Sequence, residues 1–275
     1  MEIQLPEIID IDHPERLIFT LKVASDRVSF SLYDPLVDGS YFYCEIPIER
    51  GSEAISSFKQ CFFDNPFMAS SFRKVYVING FPEFTFVPEF LYKEEDIESL
   101  FGFNVSHPTG KILTQKLRRP SMVILHQMTE EVYQFLNRSL FNVTFIHYLS
   151  PFIVYFQDKN KNFNTSQFIV NLNDKQLDIL CFSQGDFIWS NSFRISRIQD
   201  AVYYILFAWK QLKLDQIKDY VYIAGDKHEK VKLMKEIQPY IHHVIPVNFP
   251  LTTHFQGVET QDIPADFLSL TWIEL

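Results

Sequence analysis

Imidazole is both a common metal ligand and the side chain that changes charge near neutral pH, so the histidines are the first place to look for chemistry. His242 and His243 are adjacent. Neighbours on a strand point to opposite faces, so this pair cannot chelate one ion by itself. His107, His126, His147, His228 and His254 are scattered, with no HExxH spacing. Asp10, Asp12 and His13 sit together near the N-terminus and read as a solvated acidic end. The sequence holds no G-x-S-x-G, no P-loop and no G-x-G-x-x-G. Cys44, Cys61 and Cys181 form no CxxC pair, and each lies in an apolar run. That pattern predicts buried, reduced thiols rather than a disulfide framework or a zinc site.

Composition narrows the classes further. The 275 residues are 47% hydrophobic and 21% charged, a globular balance with room for two compact lobes. Aromatic residues make up 16%, with 28 Phe, enough for large cores and for an apolar partner surface as well. A net charge of −9 disfavours nucleic acid, whose binding rests on phosphate neutralisation. The basic group Lys111, Lys116, Arg118 and Arg119 is short and reads as a solvated hairpin. The acidic start MEIQLPEIIDIDHPE lacks a charged n-region and an apolar h-region, and no apolar run is long enough to span a membrane. A cytoplasmic protein is expected, in which the N-x-[ST] sites at Asn104, Asn137, Asn142 and Asn164 carry no glycan.

The elements that must position any site follow from periodicity. Leu17–Val23 and Val28–Tyr33 alternate apolar and polar residues, and Tyr41–Ile48 returns as a third strand after the turns at Asp34-Pro35 and Asp38-Gly39. A helix is predicted over Ser52–Asp64 with Ser52 as its cap, then a strand over Lys74–Ile78. Gln167–Leu172, Gln176–Phe182 and Phe187–Ile195 repeat the three strands, followed by a helix over Ile198–Leu212 and a strand over Tyr220–Ala224. The helix starts Ser52 and Ile198, and the fourth strands at Val75 and Val221, are both offset by 146; the second strands at Val28 and Leu177 are offset by 149. One βββαβ unit therefore occurs twice. An excursion over 82–128 holds strands at Glu83–Val87, Lys111–Lys116 and Met122–Gln127 and an acidic helix at Lys93–Leu100. A helix at Thr129–Leu140, capped by Thr129, and a strand at Val143–Tyr148 complete the first lobe; Lys227–Gln238 and His242–Val247 do so in the second. The reading is a duplicated α/β protein with mixed five-stranded sheets: a first lobe over 1–148 carrying the insert, and a second over 149–275.

The aromatic run Phe58–Met68, the stretch Phe152–Phe156 and the pair Trp189 and Phe193 read mainly as core, with some share of partner surface.

Three strands, helix, strand, helix, strand, used twice, is the plan of the actin-like ATPases with their ribonuclease-H-like lobes, and the small insert resembles that of PilM and of the cytoplasmic part of GspL. The stretches FPEFTFVPEFLYKEED (81–96), NLNDKQLDILCFSQGDFIWSNSF (171–193), YYILFAWKQLKLD (203–215) and IPADFLSL (263–270) resemble an uncharacterised family of Bacteroidetes proteins. The superfamily resemblance implies an ATP cleft between lobes, with an Asp-x-Gly hairpin in each lobe and a Gly-Gly after a later strand of the second. Glycine admits phosphate to the backbone amides, and the aspartates organise magnesium. At the matching positions this sequence has Lys22 and Ala24, then Asn171 and Asn173, and at the third site Gly225 alone. Any residual phosphate or adenosine contact is expected from Ser25, Asp26, Asn173, Asp174, Gly225 and Asp226. No catalytic residue, metal or bound cofactor is expected, ATP with magnesium being the one cofactor the resemblance leaves open. The function implied is a non-catalytic binding or scaffold protein with a protein partner or as a homodimer. The alternative is a divergent ATP-binding switch or kinase-like enzyme using the interlobe cleft.

Overall fold

The computed structural model describes residues 3–25, 27–48, 54–159, 164–173, 175–225, 227–260 and 263–271. The chain forms two units, one of residues 1–150 with 251–260, the other of 151–250 with 261–275.

In the first unit, β1 (Ile18–Val23), β2 (Arg27–Tyr33) and β3 (Phe42–Pro47) form an antiparallel meander. The chain crosses through α1 (Ala54–Asp64) and returns as β4 (Lys74–Asn79), parallel to β1. The insert follows, and α3 (Glu130–Ser139) then leads into β8 (Val143–His147), parallel to β4. The sheet order is β3-β2-β1-β4-β8. Central strands with both faces covered read as apolar runs, and β1 and β2 are buried along most of their length. One face packs on α1 and α3 through Phe58, Phe62 and Phe135, whose rings meet edge-on at 5.1–5.5 Å, while Phe19 stacks on Phe72 at 4.9 Å. The expected aromatic run thus divides. Phe58, Cys61, Phe62 and Met68 are core, and Phe63 is 79% exposed.

The insert is a small body of its own. Strands β5 (Phe84–Pro88), β6 (Lys111–Leu117) and β7 (Met122–Met128) make a sheet in the order β5-β7-β6. It packs on α2 (Ile97–Gly102) around Val87, Phe101, Val123 and Leu125. The acidic helix starts later than the sequence pattern suggests, because Glu94–Asp96 wind as a 3₁₀ turn and the α-helix begins only at Ile97. The basic hairpin is the β6–β7 turn, with Arg118 and Arg119 exposed.

The second unit repeats the first. Strands β9 (Gln167–Asn173), β10 (Gln176–Ser183) and β11 (Asp186–Arg194) form the meander, α5 (Ile198–Gln211) the crossover, and β12 (Tyr220–Gly225) returns parallel to β9. Helix α6 (Lys227–Ile237) and β13 (His243–Pro246) complete the order β11-β10-β9-β12-β13. Trp189 and Phe193 pack against this core, half-buried, with Phe193 stacked on Tyr204 at 4.3 Å. Asp200 starts α5 by accepting the amides of Ser196 (2.9 Å) and Arg197 (3.0 Å).

Several expectations change. Thr129 stands at the N-cap of α3 but its hydroxyl makes no capping bond; Glu130 and Glu131 in the first turn complement the positive end of the helix dipole instead. Ser52 lies outside the described residues. Cys44 is half-buried rather than buried, since it sits on the edge strand β3, whereas Cys61 and Cys181 are buried as expected. Residues 251–260 belong with the first unit, not the second. They are held by Gly39 N–H to Thr253 O (2.9 Å), Tyr41 N–H to His254 O (3.1 Å) and the Tyr41–Phe255 ring pair at 4.3 Å. Helix α4 (Ser150–Lys159) escapes sequence reading because Phe152, Ile153, Tyr155 and Phe156 are all buried, which leaves no polar stripe to betray a helical period. The short helix α7 (Ala265–Leu270) is likewise unforeseen.

Asp219, buried at the entry to β12, latches the second unit. Its carboxylate accepts Ser166 N–H and Asp215 N–H, both at 2.7 Å. Charge-assisted bonds of this kind contribute about 1.5–3 kcal/mol each. Asp219→Ala should lower the unfolding free energy by about 2–3 kcal/mol in a urea titration. A loss below about 0.5 kcal/mol would show that the latch is dispensable.

Candidate functional site

The two hairpins that the sequence points to are structurally equivalent. In the first sheet Val23 pairs with Asn79 across the parallel β1–β4 ladder, and in the second Leu172 pairs with Gly225 across β9–β12. Lys22 and Asn171, one residue earlier, therefore hold the same place in each sheet. Each heads a row across three strands, Lys22–Ser29–Glu45 in one and Asn171–Asp178–Ser192 in the other. The side chains of these rows point away from the faces occupied by Leu21 and Val23, or by Val170 and Leu172, in the main cores.

Of the expected contact residues, Ser25 is exposed in the first hairpin, and Asn173 and Gly225 lie half-buried together at one end of the second sheet. Asp26, Asp174 and Asp226 lie outside the described residues. Gly225 has φ +119°, and a Cβ added to it would stand 2.0 Å from Leu172 O and 2.8 Å from Leu172 C. The neighbouring strand alone demands glycine there, whatever ligand the unit binds.

In the first unit the C-terminal ends of the parallel strands gather polar groups that no spacing in the sequence announces. Asn79 ends β4, His147 ends β8, and His126 comes from β7 of the insert; all three are fully buried. Asn79 Nδ2 donates to Gln127 O (2.8 Å) and to His126 Nδ1 (2.7 Å), while Asn79 Oδ1 accepts Phe81 N–H (3.1 Å). Gln115 Oε1 of β6 accepts His147 N–H at 2.8 Å. The two imidazoles are 5.5 Å apart, and each leaves its Nε2 buried without a hydrogen-bond partner. Because His126 Nδ1 accepts from Asn79, its neutral tautomer carries the proton on Nε2. Burial pushes the His126 imidazole down to about 3. Burial, with lesser contributions from His126 and Lys22, holds His147 well below the ordinary histidine range. Both rings are neutral at physiological pH and sealed from solvent, which suits them to anchoring the insert on the sheet rather than to proton transfer. Lys22 lies outside this core with its ammonium 6.0 Å from the Tyr148 ring centroid.

The row in the second unit is different in kind. Asp178 is buried and accepts Ser192 Oγ–H (2.6 Å), Gln176 Nε2–H (3.0 Å) and Asn171 Nδ2–H (3.2 Å). Asn171 Oδ1 is buried with no partner. A carboxylate therefore stands one strand away from Asn171, beside an amide oxygen without a partner. The sequence signal for Asp178 and the buried histidines is a polar residue inside an otherwise apolar strand, as in QLDILCFS, VILHQ and TFIH. The pair His242 and His243 forms no metal site by itself. Their rings meet edge-on at 4.6 Å, and His243 stacks on Tyr220 at 4.3 Å. Among the described residues no three His, Cys, Asp or Glu are grouped to hold a metal. None of the described helices is long and apolar enough to cross a membrane.

Residues 6–244 match the family described as protein of unknown function (DUF3822), and the chain belongs to it. A protein of Bacteroides thetaiotaomicron, with an actin-like ATPase fold and unknown function, is 25% identical over 97% of this chain and 99% of its own, with a TM-score of 0.84. The PilM-PilN type IV pilus biogenesis complex is 10% identical over 94% of this chain and 99% of the matched one, with a TM-score of 0.52. No curated protein matches. The fold is that of the actin-like ATPases, as the duplication implies.

Two outcomes follow from this geometry. Gly225→Ala should cost at least about 2 kcal/mol in chemical unfolding, from strain at positive φ and the clash with β9; an unchanged midpoint would contradict the packing account. For the histidines, folded-state values lie below the unfolded value of about 6.5. The unfolded chain then takes up more protons as pH falls, so stability is full above about pH 6.5 and declines below it, at about 1.4 kcal/mol per pH unit for each ring. Urea midpoints between pH 7.5 and 5 should show this decline, and His126→Gln should remove one ring's share. A slope that His126→Gln leaves intact would mean that His126 is already protonated in the native state.

Proposed function

We propose that this member of the DUF3822 family is a binding or scaffold protein that keeps the actin-like fold without ATP hydrolysis. The observation that carries the reading is the pair of equivalent positions at the heads of the two rows. Lys22 places a cation where a magnesium-organising carboxylate would be needed, and Asn171 places a neutral amide. A lysine repels the metal that the chemistry requires, and an amide is a weak substitute for a carboxylate. Gly225 gives no support to a nucleotide site, because β9 already requires it. The structural likeness to PilM in a complex with PilN is consistent with a protein partner, and the 10% identity gives no partner identity.

One observation favours a second reading, a divergent nucleotide-binding switch. Asp178 and the unpartnered Asn171 Oδ1 are adjacent oxygen ligands in the second hairpin row. Asp178→Asn is the substitution that separates the readings, since it removes the charge while keeping the volume.

Titration with ATP and magnesium decides between them. Ligand at about 100 times its Kd stabilises by about 2.7 kcal/mol, a shift of several degrees for a unit of this size. The expected shift at about 5 mM MgATP is below one degree, with no phosphate release. A shift of several degrees that Asp178→Asn abolishes would replace the scaffold reading with the switch.

A further inference from the structure

A sheet ends in strands whose outer N–H and C=O groups are unpaired, and proteins usually blunt such edges with charge, proline or a cover. Most edges of this chain are treated in that way. β3 carries Glu45 and ends at Pro47, β6 carries Lys111 and Lys116, and β5 and β13 are short and end at Pro88 and Pro246. At the end of β8, Gln115 of the insert takes up the His147 N–H. β11 is the exception. It is the longest edge strand among the described residues, and between Asp186 and Arg194 it holds neither a charge nor a proline. Its bulge opposite Cys181 and Phe182 takes up Ile188 and leaves residues 189–194 in regular register with β10. Among the described residues no strand pairs with its outer side, and Ile188, Asn191 and Arg194 are exposed.

The exposed rings of the second unit begin at this edge. Leu177, Ile179 and Cys181 of β10 belong to the main core, so their partners Phe193, Asn191 and Trp189 lie on the α5 side of the sheet. From Phe193 the rings continue without a break. Tyr204 stacks on it at 4.3 Å, Tyr203 meets Tyr204 edge-on at 5.4 Å, and Phe207 stacks on Tyr203 at 6.0 Å. Tyr203 is 62% exposed and Phe207 48%. One aromatic strip therefore runs from the free edge of β11 onto the outer side of α5.

Free backbone along a strand is satisfied by another strand, and the sequence of β11 suits a copy of itself. Charge sets the direction. Asp186 and Arg194 close the uncharged run at opposite ends. Antiparallel pairing of two copies runs each acidic end beside the other's basic end, whereas parallel pairing would bring like charges together. We propose that β11 is a dimerisation edge, where two copies pair antiparallel about a two-fold axis at Asn191 and join their second sheets into one. This register sets Trp189 of each copy opposite Phe193 of the other on the α5 side, and Ser190 opposite Ser192 on the other side. It also brings both aromatic strips to the axis, so the same contact covers Tyr203 and Phe207. A two-fold pair of this kind closes, because each copy uses the same edge. The proposal deepens the binding-module reading above by naming a second copy as the partner.

The test uses the full chain, its mass in solution measured by sedimentation from about 1 to about 100 μM. A dimer that dissociates on dilution is expected. Asn191→Lys and Asn191→Asp each set like charges face to face at the axis, and each should weaken the dimer about tenfold or more. An equimolar mixture of the two variants should dimerise again, because opposite charges then meet. Tyr203→Ala with Phe207→Ala should weaken the parent dimer about tenfold. These side chains are exposed, so every variant should keep the parent Tm at the lowest concentration, where the chain is monomeric. A dimer indifferent to either set of variants, or a Lys/Asp mixture that stays monomeric, would overturn the assignment. So would a parent chain that is monomeric throughout, which would leave the edge to another protein's strand. MgATP titration is independent of it. A monomer with no nucleotide shift removes this surface and leaves the scaffold reading standing; a nucleotide shift removes the scaffold reading whether or not the dimer forms.

Discussion

Parallel pairing of β1 with β4, and of β9 with β12, places the two strands farthest apart in each meander-and-crossover side by side at the centre of a sheet. Such a pair cannot close through a tight turn. It needs a crossover, supplied here by α1 and by α5, and it needs cover on both faces. That requirement explains why β1, β2, β9 and β10 are buried almost throughout.

Where those strands end, backbone and side-chain polar groups must still be satisfied in the interior. The first unit meets this with the insert, whose β6 and β7 bring Gln115, His126 and the Gln127 carbonyl onto the ends of β4 and β8. The insert is thus tied to the sheet by hydrogen bonds that a freely moving appendage would not keep. The second unit has no insert and answers within the sheet, binding Asp178 to Asn171, Gln176 and Ser192 along a row of neighbouring strands. The two units therefore carry their buried polar groups at different places, at the ends of β4 and β8 in one and along the Asn171 row in the other.

Period and spacing made most of the architecture legible. Alternation in LIFTLKV and VSFSLY, the turn at Asp38-Gly39 and the common offset of 146 lead to strands and crossovers that the structure places within a residue or two. What escaped reading had no period to show. Helix α4 is buried on all sides, and the 3₁₀ turn at Glu94–Asp96 shares its composition with a helix start. The polar cluster was hidden for another reason. Asn79 and His147 come together through the pairing of β4 with β8, and His126 joins them only through the hydrogen bonds that bring β7 of the insert onto Asn79. The equivalence of Lys22 and Asn171, by contrast, could be read from the duplicated strand order, and the two ladders place them alike.

Gly225 shows how a motif residue and a structural residue can be confused. A glycine after the fourth strand of the second lobe invites a reading in terms of adenosine, because glycine lets a ligand approach backbone. Here the atom that approaches is Leu172 O, and it comes from the protein's own neighbouring strand. A chain that lost all use for nucleotide would still hold glycine at this position, under the pressure of packing alone. Lys22 and Asn171 differ from it: Lys22 is half-buried, and Asn171 is buried and donates to Asp178, so their side chains rather than their backbones set what each row can do.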